Sequence, residues 1–201
     1  MDTNRLEAFS DGVFAIAITL LVLEIKVPLS GSALGRELLI LWPSYLAYVI
    51  SFIVIGAIWI NHHAMFDHIR RADHTLLLLN TIHLMFIAFI PFPTAVLAQA
   101  LHDGTNEPIA TSFYGGTLTV IGILVTFMWY YAAYEHRLLG ENISHDEAKR
   151  NTRRFLVGPV CYGIGTLVAL IVPWLALALY IALNVFFLWR RHEHTTSTNA
   201  T

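Results

Sequence analysis

Residues 5–28 read RLEAFSDGVFAIAITLLVLEIKVP. As a helix rising about 1.5 Å per residue, this almost unbroken apolar run is long enough to cross a bilayer. Near its start the triplet Phe9-Ser10-Asp11 puts a carboxylate where a membrane helix normally excludes one, and residues 12–23 then carry no charge. An acidic group at membrane depth costs about 2.5 kcal/mol or more, so it is expected to have a partner and a task. At about 100° per residue, Ile16, Leu20 and Leu23 fall within roughly 60° of one another and Val13 and Val27 extend the stripe. Asp11 sits roughly 140° from Ile16 by the same arithmetic. Periodicity alone reads the stripe as packing or lipid contact.

Composition extends this reading to the whole chain. Of 201 residues, 56% are hydrophobic and 13% charged, against about 25% charged in soluble domains. With a positive mean hydropathy, the chain lacks the polar surface that water would solvate all round; it is an integral membrane protein in contact with the lipid bilayer. A net charge of −2 with no basic block gives no reason to expect nucleic acid. The single Cys161 rules out an intramolecular disulfide framework. The N-terminal run has no basic leader or cleavage site and is too long for a cleaved signal peptide.

Six apolar segments follow in order, at about 5–28, 38–64, 75–100, 113–134, 155–172 and 174–189. Pro173 marks the hairpin turn between the last two, since proline ends one helix and starts another. The expected fold is all-α, a polytopic membrane protein with six transmembrane helices in residues 1–191 and a disordered cytoplasmic tail at 192–201. With the N-terminus inside, ten of the twelve Lys and Arg residues fall in inner segments, and only Lys26 and Arg36 lie outside. That asymmetry places both termini in the cytoplasm of a cell whose inner membrane holds the protein. Trp42, Trp174, Trp189 and Tyr134 fall near span ends, as interfacial anchors do. In the polar inner loop, Ser144 and Glu147 have capping-box spacing, which predicts a short cytoplasmic helix leading into the fifth span. The Asn142-Ile143-Ser144 glycosylation motif lies on the wrong side for that chemistry. No internal repeat is apparent, and the Phe-Ser-Asp triplet occurs once.

The triplet, preceded by Arg5 and followed by an alanine- and isoleucine-rich span ending TLLVLEI, closely resembles the pore helix of the transmembrane-protein-175 family, endosomal and lysosomal potassium channels and their prokaryotic relatives. The resemblance is nearly residue for residue on this helix and one of helix number and layout beyond it. It implies that the first helix lines a central pore in an oligomer. It places the constriction at Ile16, five positions after Asp11, with further apolar rings at Leu20 and Leu23 and with Thr19 shaping the permeation path. It also implies that a tryptophan and a histidine of the second helix meet the triplet. Relatives with one six-helix unit per chain assemble as tetramers, so the single triplet implies a homotetramer.

Polar residues at depth fit that picture. The second span ends WINHHAMFDH, which puts Trp59, Asn61, His62 and His63 at the same depth as Ser10 and Asp11. Two readings compete there. A metal site needs three or four convergent ligands, and adjacent histidines diverge by about 100° on a helix, so no metal is expected. The other reading is a buried polar network of Arg5, Phe9, Ser10, Asp11, Trp59, His62 and His63, in which one histidine donates to Asp11 and fixes the helix angle. Which histidine does so is open from sequence. Asn80 and His83, one turn apart on the third span, could share a partner and are read as making an interhelical hydrogen bond. Asn184 is expected to be satisfied by a neighbour. Glu24 and Lys26 either charge the outer mouth or snorkel at the interface. The two prolines of FIPFP, residues 89–93, should kink or unwind the third span.

The carbonyl filter signature TVGYG is absent, so selectivity would have to arise on the first helix. A narrow aliphatic ring offers no oxygen in place of lost water, so weakly hydrated monovalent cations, potassium and then caesium, cross most easily, and a closed ring gates by dewetting. The expected function is therefore a potassium-permeable cation channel that needs no cofactor and is not an enzyme. A proton-coupled secondary transporter, motivated by Asp11 beside His62 or His63, is the alternative. The unbroken first helix speaks against it, because transporters break helices near the midplane. A membrane hydrolase would need a nucleophile elbow or ligand cluster that the sequence lacks.

Overall fold

The computed structural model of the chain describes residues 3–28, 33–140 and 143–198, with backbone alone for residues 136 and 186–198. Among these the fold is all-helical, and the one β-type contact is an isolated bridge between Ile69 and Leu139. The elements are α1 (Asn4–Leu20), continued by a 3-10 turn (Leu21–Glu24), then α2 (Leu34–Ile40), α3 (Trp42–Phe66) and α4 (His74–Phe89). After these come α5 (Pro91–Asp103), α6 (Glu107–Ala133), α7 (His145–Ala169) and α8 (Pro173–Thr198).

Proline sets half of the α-helix starts among the described residues. Pro43, Pro91 and Pro108 occupy the first turns of α3, α5 and α6, and Pro173 opens α8; there the missing N–H has no intrahelical partner to lose. The FIPFP stretch breaks the third apolar segment into α4 and α5 at Ile90, where Pro91 and Pro93 each remove a backbone donor. Gly104, at φ 63°, closes α5 in the left-handed conformation that glycine adopts without strain.

Among the described residues, four segments are long and apolar enough to cross a membrane: Asn4–Glu24, Trp42–Phe66, His74–Asp103 and Glu107–Ala133. The last two helices differ from expectation in detail. Ser144 does cap α7, accepting from the Glu147 N–H. No separate cytoplasmic helix follows, because nothing between His145 and Val157 stops propagation, and α7 runs unbroken from its charged first turns into its apolar part. The chain then turns at residues 170–172, where the hairpin was expected. The helix of α8 reaches Thr198, into the segment read as a tail. Residues 199–201 and the Asn142 of the glycosylation motif lie outside the described residues.

Two cores result. The larger gathers Phe14, Ala17 and Leu21 of α1 against α3, α4, α5, α6 and α8, and includes three buried tyrosines, Tyr114, Tyr162 and Tyr180. Gly115 and Gly165 make room for the Tyr180 ring; a Cβ at either would collide with it. The second core lies where α1 starts and α3 ends, with Leu6, Met65, Trp129 and Leu139 among its members. There the loop after α3 and the loop after α6 are laced together, Arg70 N–H to Leu138 carbonyl and Gly140 N–H to His68 carbonyl. At the other end Trp42 and Trp174 stack 6.2 Å apart, both exposed at helix starts as interfacial aromatics are.

The first helix and its polar anchor

One side of α1 is packed and the other is not. Phe14, Ala17 and Leu21 are 3%, 1% and 0% exposed, while Ile16, Leu20 and Leu23 are 61%, 39% and 72% exposed. The apolar stripe read from spacing is therefore the face that a single chain leaves uncovered. Arg5, Phe9, Gly12 and Thr19 lie on this uncovered side too. Thr19 turns its hydroxyl back to donate to the Ala15 and Ile16 carbonyls, each 2.9 Å away.

The packed side is tied down by a chain of hydrogen bonds whose proton directions can be deduced. The Ser10 hydroxyl spends its hydrogen on the Leu6 carbonyl at 2.8 Å. Its oxygen then accepts from the Asn80 amide nitrogen at 2.9 Å. That fixes the amide, so the Asn80 oxygen faces the His62 Nε2 at 2.9 Å, and Nε2 must carry the proton. Ser10, Asn80 and His62 are all buried, and the chain joins α1, α4 and α3 in one line. Phe14 rests against both His62 and His83, with ring centres 5.4 and 6.2 Å away. His83 stacks on His62 at 5.6 Å with planes 6° apart.

Asp11 has a different partner from the one expected. Trp59 Nε1 donates to it at 2.8 Å, and His63 stacks on Trp59 with ring centres 6.1 Å apart. Neither histidine bonds the carboxylate: His62 is turned inward to Asn80, and His63 is exposed. The Asp11–histidine pair on which the transporter alternative rested is thus replaced by a Trp59–Asp11 bond. The interhelical hydrogen bond expected at this level is made by Asn80, to Ser10 of α1 and His62 of α3. His83 packs its ring against His62 and Phe14. Phe14 was missed from sequence, although it lies on the side of the helix away from the stripe. Asn184 is satisfied as expected, accepting from Tyr162 and donating to the Tyr180 carbonyl.

Long apolar helices, with a first helix anchored on one face and uncovered on the other, define an all-helical membrane protein. The family described as "Endosomal/lysosomal potassium channel TMEM175" matches residues 5–91. A potassium channel of Chamaesiphon minutus is 42% identical over 94% of this chain and 95% of its own length. A potassium channel of Streptomyces collinus is 37% identical over 92% and 91%. The crystal structure of a lysosomal potassium-selective channel TMEM175 homolog from Chamaesiphon minutus superposes with a TM-score of 0.84 at 40% identity, covering 94% of this chain and 97% of that one. The chain belongs to the TMEM175 family, which is one of ion channels and not of enzymes.

Proposed function

We propose that this protein is a potassium channel of the cell membrane, in which four copies surround an axis and α1 of each faces it. Ile16 forms the narrowest ring, Leu20 and Leu23 form the rings beyond, and Thr19 flanks the path. The observation that carries the reading is the uncovered stripe of α1. Lipid would cover an apolar face equally well, but relatives that match over nine-tenths of this chain are potassium channels, which favours a pore. The six-span layout follows if the apolar part of α7 and α8 cross alongside the four long spans. The surplus of basic residues at the end where α1 begins supports cytoplasmic termini.

Such a ring discriminates through dehydration. It supplies no oxygen ligands, so the ion that holds its water less tightly crosses more easily, which favours potassium over sodium and admits caesium. Closure dewets the ring without any charged plug. The Ser10–Asn80–His62 chain and the Trp59–Asp11 bond then set the rotation of α1, and so the width of the ring. Planar-bilayer recording of the reconstituted protein tests this reading. Ile16→Asn should raise conductance and narrow the gap between potassium and sodium currents. Currents of unchanged size and selectivity in that variant would refute it.

A further inference from the structure

A cleft of about 70 Å³ lies between α3, α6, α7 and α8, away from the first helix, with Asn61, Leu118, Phe155, Gly158, Pro159 and Arg154 in its lining. Its origin is local. Gly122 of α6 sits so close to Pro159 of α7 that a Cβ there would meet the proline ring at 3.1 Å. One residue earlier, a Cβ on Gly158 would meet nothing within 4 Å. α6 and α7 pack closely along their length, and the cleft opens beside the Gly122–Pro159 contact. Proline also deprives the Phe155 carbonyl of its helical donor, and Thr126 of α6 supplies one at 2.9 Å, which ties the two helices together beside the notch.

The chemistry changes abruptly along α7 at this cleft. Lys149, Arg150, Arg153 and Arg154 precede Phe155, Leu156 and Val157, so Arg154 is the last cation before the apolar part of the helix. Arg150 lies one turn away on the same face, and both side chains are exposed. An apolar notch with a guanidinium at its polar edge complements an amphiphile whose anionic head adjoins an apolar chain, and basic pockets between membrane helices take such head groups. The cleft is small and partly open, so it holds a segment of one acyl chain and not a whole tail.

We propose that this cleft is a binding site for an anionic glycerophospholipid of the surrounding bilayer, with its phosphate on Arg154 and Arg150 and the first part of one acyl chain beside Gly158 and Pro159. The site depends on membrane embedding alone, so it stands or falls separately from the pore.

Native mass spectrometry of the full chain, purified with a mixture of phosphatidylglycerol and phosphatidylethanolamine, tests it. The wild-type protein should retain phosphatidylglycerol preferentially. Arg154→Gln should weaken that preference about fivefold, the effect of roughly one basic contact at a membrane surface, while Arg154→Lys keeps most of it. Gly158→Leu, which fills the notch without a backbone collision, should reduce retention of both lipids. Arg36→Gln, outside the cleft, should change nothing. No preference in the wild type, equal losses in Arg154→Gln and Arg36→Gln, or displacement of the lipid by inorganic phosphate alone would each overturn the proposal.

Discussion

Asn80 gives a hydrogen to Ser10 and takes one from His62, so a single amide holds α1 to two other helices. Asn80→Leu keeps the volume but leaves the His62 N–H without its acceptor in a buried setting. Interhelical hydrogen bonds in membranes contribute about 0.6–2 kcal/mol, and a loss in that range should appear as a lower melting temperature of the purified protein; an unchanged melt would show that the chain bears no load. Asp73 offers a test in pH. It caps α4 by accepting from the Leu76 N–H and accepts the Tyr131 hydroxyl at 2.6 Å. Partial burial pushes its carboxyl up, but the Tyr131 and Leu76 hydrogen bonds and the nearby Arg137 charge outweigh that and hold it below the usual carboxylate range. A group depressed in the folded state adds stability that is fully present above its unfolded value, about 3.9, and is lost as pH falls through the folded one. Wild type should therefore melt above Asp73→Asn at neutral pH, and the gap should close below about pH 4. Sequence showed that Asp11 needed a donor but not which one. Trp59, His62 and His63 all carry N–H groups and lie within about 100° of each other on one helix, and only the way α1 crosses α3 selects Trp59.

At the scale of elements, the apolar runs and the proline breaks were legible because each rests on local physics, a length or a missing N–H. FIPFP broke its helix and Pro173 opened one for that reason. The extent of α7 was not legible, because the change from polar to apolar within it suggests a boundary where the backbone has no cause to stop. Pro159 gives a test at this scale. Thr126→Val should destabilise the α6–α7 pair by about 0.6–2 kcal/mol by orphaning the Phe155 carbonyl. In a Pro159→Ala background the helix regains its own donor, so the same change should cost less. Melting curves of the four proteins close this double-mutant cycle, and additive effects would contradict the pairing. Gly165→Ala should be more disruptive, because its Cβ runs into the Tyr180 ring between α7 and α8. A loss of folded protein on gel filtration is expected, and a normal elution profile would contradict that packing.

For the whole molecule, the sequence carried the stripe of α1 and its family resemblance, and the structure adds that this stripe is the side its own chain leaves bare. The proposed symmetry is not written in a single chain, since its axis would lie outside that chain. The proposed channel requires Ile16 from each subunit to meet water and its counterparts at that axis. Ile16→Cys, recorded in a planar bilayer under potassium with cadmium added, tests this most directly. The account predicts that thiolates converging on the axis bind cadmium and block the current, reversibly on chelation, with no block in wild type. A current in Ile16→Cys that cadmium leaves unchanged would place that side chain away from the ion path and contradict the account.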